Sequence, residues 1–259
     1  VEPRNRIRNP LFNRMPAAVE PPNPALRQRL RRESDTNSEA LEILKELTIE
    51  EPASVAYRMA LAQATKDSVR IAQLSREWSK ADEAIAAAIQ LIEGLQQEFP
   101  DSDRFKFELA ETLSTISSFR PADMQRLTRS RQLCRELVAA HPQVPEYRSL
   151  YAATLARIAG IQALQGKSEL AESTLQEVLT HNQQLADQFP DVLMYQFAVV
   201  RTQQQLAHIY VNNKHTDMAK ESLDDAIKRL EGLPVRSRGR NPVSQILNRM
   251  RDSRSKLGD

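Results

Sequence analysis

The chain has 259 residues, 36 basic and 34 acidic side chains, a net charge of +2, and 41% hydrophobic against only 5% aromatic residues. Six glycines and thirteen aromatics supply too few turn and strand formers for a β-sandwich or barrel. A single cysteine, Cys134, excludes an intrachain disulfide, and no apolar stretch reaches the roughly 18 residues that a membrane-spanning helix needs.

Residues 1–33 carry eight arginines against three acids, and six of the fourteen prolines fall by position 24. Residues 1–23 therefore read as an extended, semi-rigid Pro/Arg-rich linker. The chain opens on valine and shows no signal peptide, so the expectation is a fragment with room for a membrane anchor or further domain upstream. Asn23-Pro24 has the form of a helix start, asparagine at the cap and proline in the first turn. The helix that follows, with Arg27, Arg29, Arg31 and Arg32, makes a half repeat over residues 24–51.

Beyond it a pattern recurs four times. Pro52, Pro100, Pro142 and Pro190 are each followed five residues later by an aromatic: Tyr57, Phe105, Tyr147 and Tyr195. The prolines are 48, 42 and 48 residues apart, a period that marks stacked helical repeats. Leu47, Leu95, Leu137 and Leu185 stand five residues before the prolines. Phe99, His141 and Phe189 immediately precede three of them, and Glu51 breaks that column. Within a unit the spacing is helical, as in Phe105, Leu109, Leu113 and Ile116, and in Ile85, Ala88, Ile89, Ile92 and Leu95. Gln165-Gly166-Lys167-Ser168 and Asn212-Asn213-Lys214 separate the two helices of a unit; Phe119 to Asp123 do so in the shortened second unit. Proline disfavours helical geometry in the residue before it, so each unit stops there. The predicted units are about 52–99, 100–141, 142–189 and 190–233.

Residues 234–259 form a basic tail with a capping helix, Val243, Leu247, Met250 and Leu257 facing the array while Arg249, Arg251 and Lys256 stay wet. This tail and residues 1–33 each carry a net +5, which leaves −8 on residues 34–233. Arg236-Ser237-Arg238-Gly239-Arg240 suits phosphate electrostatically, but it has no interleaved aromatics and an acidic array behind it, so nucleic acid is disfavoured as a partner.

The repeat resembles the tetratricopeptide (TPR) family, whose unit has about 34 residues. The large-small pairs Leu61-Ala62 and Leu109-Ala110 match its pattern, Tyr151-Ala152 and Val199-Val200 match it loosely, and the four prolines match its terminal proline. Three departures stand out: the aromatic falls one residue early, the central glycine and tyrosine are missing, and each helix is longer by about two turns. Strings such as Glu98-Phe99-Pro100-Asp101 look like arrays attached to bacterial membrane-tethered anti-sigma-type regulators or serine/threonine kinases. The resemblance implies an all-α, right-handed α-α superhelix of antiparallel helix pairs, serving as a protein-protein interaction scaffold. It also implies ligands on a concave face lined by the first helix of each unit. Two alternatives remain: a ligand-sensing regulatory domain of a membrane-tethered protein, leaning to an extracytoplasmic location, and a structural spacer.

On that implied face, positions 11, 14, 15 and 18 residues after each proline look into the groove. They are Gln63, Lys66, Asp67 and Arg70; Glu111, Ser114, Thr115 and Ser118; Ala153, Ala156, Arg157 and Gly160; and Arg201, Gln204, Gln205 and His208. The polar ones expected to touch a partner are Gln63, Lys66, Arg70, Glu111, Arg157, Arg201, Gln204, Gln205 and His208. Lys66, Arg70, Arg157 and Arg201 are the candidate clamps for an acidic protein or peptide segment, because a guanidinium fork holds a carboxylate by two hydrogen bonds.

No cofactor and no catalytic constellation is expected. Gly166-Lys167-Ser168 imitates the end of a phosphate-binding loop, but Ile161 occupies the place of its first glycine and no strand precedes it. Glu177 and His181 lie one helical turn apart without a third metal ligand. Cys134, His141 and Trp78 read as packing residues, and no Gly-x-Ser-x-Gly elbow occurs.

Overall fold

The structure is a computed structural model and describes residues 24–116, 123–233 and 241–258. The expected linker over 1–23, the turn near Phe119, Ser118 and the Arg236–Arg240 stretch lie outside the described residues. Every regular element among the described residues is an α-helix. In chain order they are α1 (Pro24–Glu50), α2 (Val55–Ser75), α3 (Trp78–Glu98), α4 (Asp103–Ile116) and α5 (Asp123–Ala140). Then come α6 (Pro145–Leu164), α7 (Ser168–Gln188), α8 (Leu193–Asn212), α9 (Thr216–Glu231) and α10 (Asn241–Ser255).

The chain forms two compact units, residues 1–91 and 92–259. In the first, α1 packs along α2, and the Asn37 side-chain amide donates to Ser68 Oγ at 2.8 Å and to the Ala64 carbonyl at 3.1 Å. In the second, each helix from α4 to α10 packs on the next, and α4 also touches α6. That order of contacts is an all-α solenoid of helix pairs, in which each pair buries its apolar face against its neighbours.

The repeated sequence columns correspond to one turn used four times. The amide of the residue before each proline donates to the carbonyl of the leucine five residues before it, at 2.9 Å in all four cases: Glu51 to Leu47, Phe99 to Leu95, His141 to Leu137, and Phe189 to Leu185. Leu95, Leu137 and Leu185 are fully buried, which anchors the turn in the core. The aromatic columns meet across the proline: Phe99 and Phe105 at 5.4 Å, His141 and Tyr147 at 6.1 Å, Phe189 and Tyr195 at 5.8 Å between ring centres. One residue further on, Arg148 donates to the Pro142 carbonyl at 2.9 Å and Gln196 to the Pro190 carbonyl at 3.2 Å. Glu51 lacks a ring, so the first turn has no such pair and instead caps α2 through Ser54 Oγ, which accepts from the Tyr57 amide.

The turn inside each pair also repeats. Arg76, Gly166 and Lys214 have φ of 63°, 75° and 63°, each 24 residues after its proline. The residue after each one donates back to the carbonyl five residues earlier: Glu77 to Ala72, Lys167 to Gln162 and His215 to Tyr210. This is the left-handed helix ending that satisfies the last carbonyls of a helix. Only Gly166 has the residue type that this geometry favours, so the sequence signalled one of three.

The small positions are core contacts. Ala62, Ala110, Ala152 and Val200 are all at most 2% exposed, beside buried Leu61, Leu109, Tyr151 and Val199. Cys134 lies in one cluster with Ala110, Ala152, Leu155 and Val178, as its apolar neighbours in sequence suggest. Trp78 departs from expectation. It stands at the start of α3 with 55% of its surface exposed, because the α2–α3 turn leaves its ring outside the packed faces.

Candidate partner-binding site

In the second unit an open cleft of about 700 Å³ lies between α6 and α8, the first helices of two successive pairs. Its α6 side is low because Ala152, Ala153 and Ala156 carry only methyl groups. Its α8 side carries Phe197, Ala198 and Val200, while Met194, 65% exposed, and Ile246 of α10 complete the apolar lining. Arg201 and Gln204, both exposed, add its polar groups. An apolar concavity with a few placed polar groups is the usual form of a recognition site.

Arg157 follows Ala156 in α6 and is half-buried. Its Nη1 donates to Ser114 Oγ at 2.6 Å. Burial first, and the neighbouring Arg201 guanidinium second, push the pKa of Arg157 below its ordinary value. The two guanidiniums, expected on successive first helices, are near enough to repel each other. Neither is paired with a carboxylate among the described residues. Two cations that repel each other, neither paired with a carboxylate among the described residues, thus stand beside an apolar cleft.

The other expected positions divide. Gln204 lines the cleft; Gln205 is half-buried, and its Oε1 is buried without a hydrogen-bond partner. His208 is half-buried, and burial lowers its pKa, so the neutral ring accepts from Asn212 Nδ2 through Nε2 at 3.0 Å and brings no positive charge. Glu111 is half-buried on α4. Gln63, Lys66 and Arg70 lie on α2 in the first unit, where Arg70 is already paired with Glu33 at 3.4 Å and Asp67 at 3.9 Å. Ser114 corrects an expectation: it is fully buried and points into the interior rather than the groove, drawn in by its bonds to Thr154 and Arg157.

Counting groove positions from one repeat register missed Ser149, Met194, Phe197 and Ala198. They sit in the first two turns of their helices, ahead of the counted positions. The available signal was Met194 and Phe197, large apolar residues that flank the buried Tyr195 and Val199 instead of sharing their stripe. A second depression of about 630 Å³ near Gln196, Gln203, Asp225 and Lys228 carries charges of both signs, and its Arg229 is tied to Gln196 at 2.8 Å.

Elsewhere the polar side chains of the repeats pair with one another. His141 is exposed, and its Nε2 lies 2.6 Å from Asp103 Oδ2 in addition to its edge-on contact with Tyr147. His181 Nε2 is 4.0 Å from Glu177, which also accepts from the Tyr151 hydroxyl at 2.9 Å. No group of three metal-ligating side chains gathers among the described residues, and none of the described helices is long and apolar enough to cross a membrane.

No known family pattern and no curated protein matches this chain. Solved structures do match it, 31 chains in all. One is the crystal structure of BtubC (BKLC) from P. vanneervenii, 14% identical, with 88% of this chain aligned to 90% of that one and a TM-score of 0.55. The fold is shared at that level. At 14% identity the likeness extends no further. A computationally designed self-assembling cyclic homo-oligomer aligns over 89% of this chain and 95% of its own at 11% identity, but its TM-score of 0.18 carries no argument.

Proposed function

We propose that this chain is a non-catalytic, TPR-like interaction module that holds an acidic segment of a partner protein in the α6–α8 cleft. The observation that carries the reading is the pair Arg157 and Arg201, two adjacent guanidiniums without a carboxylate partner among the described residues, at the edge of an apolar concavity. A bound carboxylate supplies the missing counter-charge, and partial burial strengthens that bond relative to one in open water. The alanine floor leaves room for a large apolar side chain of the partner. On both helices an apolar floor residue precedes the arginine by four positions, Ala153 before Arg157 and Phe197 before Arg201. That is about 6 Å along a helix, the length of two residues of extended peptide. The preferred segment thus has a leucine-sized residue two positions from an acid.

The test uses a fluorescein-labelled synthetic peptide in which leucines alternate with aspartates, read by fluorescence polarisation. Wild type binds it; the double change Arg157→Ala and Arg201→Ala weakens binding about tenfold or more, and added salt weakens the wild-type complex. Equal affinity of the double variant and wild type, or no binding by wild type, sinks the reading.

A further inference from the structure

Three buried hydroxyls run from the interior of the second unit out to Arg157. Ser130 of α5 donates to the Ala110 carbonyl of α4 at 2.7 Å and lies 3.2 Å from Thr154 Oγ1 of α6. Thr154 donates to Ser114 Oγ of α4 at 2.9 Å, with the Leu150 carbonyl an equally near acceptor. Ser114 Oγ in turn accepts from Arg157 Nη1 at 2.6 Å. Ser130, Thr154 and Ser114 have no exposed surface. Hydroxyls in such a place are costly unless each is bonded, and here every one is.

Packing by itself does not call for an oxygen at position 114, since an alanine there leaves α4 and α6 the same approach. What the oxygen does is hold one guanidinium N–H without cancelling its charge, as a carboxylate would. The other N–H groups of Arg157 have no protein partner among the described residues and are absent from the buried unpartnered atoms, so they reach solvent. Arg157 is thus fixed in direction from inside the solenoid while its positive charge stays available outside. Arg70 on α2 is the contrast: it is held by Glu33 and Asp67, which neutralise it.

We infer that Ser114, backed by Thr154 and Ser130, is the positioning residue for Arg157 and sets the anion preference of the cleft. Its use rests on the partner-binding function proposed above; its geometry does not. Two readouts keep these apart. The first needs no ligand: modification of Arg157 by phenylglyoxal, which adds across both terminal guanidinium nitrogens, followed by mass spectrometry. With Nη1 held by Ser114 the wild-type reaction is slow, and Ser114→Ala accelerates it several-fold while the rate at Arg201 is unchanged. The second is affinity for the same leucine-aspartate peptide. Ser114→Ala lowers it about threefold, less than removing both arginines does, and has no further effect in an Arg157→Ala background.

Thr174→Val, which removes the buried bond from Thr174 to Gln162 outside this chain of hydroxyls, serves as the structural control: it lowers the melting temperature while Arg157 reactivity and peptide affinity stay at wild-type values. Should Ser114→Ala unfold the protein, Ser114→Cys, close in size and a weak acceptor, is read the same way. Equal Arg157 reactivity in wild type and the Ser114 variant overturns the positioning role, as does unchanged peptide affinity where wild type binds. Accelerated modification with no peptide binding by wild type upholds the positioning of Arg157 and removes the partner-binding function instead.

Discussion

Arg70 on α2 and Arg157 on α6 sit late in the first helix of their repeats, yet their surroundings give them opposite characters. Arg70 is exposed and lies between Glu33 and Asp67, a surface ion pair whose charge is already met. Arg157 is half-buried, held by a neutral serine, and faces another arginine. The same residue type therefore closes a contact in one region and leaves one open in the other. What differs is whether an acid happens to fold beside it, and one of the two acids beside Arg70, Glu33, comes from a different helix, 37 residues away.

The strongest way to probe what the two regions share is overpacking. Ala62 in α2 and Ala152 in α6 occupy the same repeat position and are 1% and 2% exposed. Changing either to tryptophan forces a large ring into a closed helix contact and costs roughly 3 kcal/mol or more, measured by urea unfolding. Wild-type stability of either variant breaks the common register on which the comparison rests.

Alkaline pH is the next largest lever, and in the second unit it acts through Cys134. Burial pushes the Cys134 thiol up from 9.0 to about 11, against smaller opposing effects from Ser130 and Thr154. A raised folded-state pKa gives stability that is complete below the unfolded value and is lost as pH rises through the folded one. The second unit therefore weakens between about pH 9 and pH 11, by roughly 2–3 kcal/mol in all. Cys134→Ala should remove the loss that begins near pH 9 and leave the later one from the Tyr151 hydroxyl, which burial and then its bond to Glu177 push up from 10.0 to about 12; an equally steep loss from pH 9 in that variant would assign the effect elsewhere.

Binding sharpens the contrast between the arginines themselves. Arg70→Ala is expected to leave affinity for the leucine-aspartate peptide unchanged and to move stability by no more than about 0.5 kcal/mol, as exposed ion pairs do. The Arg157 and Arg201 double variant loses about tenfold in affinity, or roughly 1.4 kcal/mol. An equal loss on changing Arg70 would mean that the acids beside it do not commit it.

The smallest expected effects are at the turns. Lys214→Gly and Arg76→Gly relieve left-handed backbone and should stabilise by up to about 1 kcal/mol, while Gly166→Ala should destabilise by a similar amount. Thermal melts of the three variants check both signs. A loss of stability in the two glycine variants would show that their side chains contribute more than the strain costs.

Much of this architecture is local and was therefore legible. A proline stops a helix by steric clash with its own neighbour, and an apolar residue every three or four positions defines a buried face, so Pro100, Leu95 and Phe105 announce their roles without the rest of the chain. The aromatic and leucine columns proved to be one turn repeated, which is why they recur at fixed distances from proline. The left-handed turns at Arg76 and Lys214 were not legible, since their residue types do not favour that conformation and only helix packing imposes it.

The candidate site divides along the same line. Repeat position alone set Arg157 and Arg201 on the first helices of successive pairs, α6 and α8, where each feels the charge of the other. Whether each arginine found an acid, whether Ser114 faced the groove or the interior, and which apolar residues lined the cleft depended on side chains many residues apart. Those outcomes come from long-range competition for hydrogen bonds and burial. The sequence determines the helices and their stacking order through short-range sterics and periodicity; tertiary packing decides which charges remain unmet.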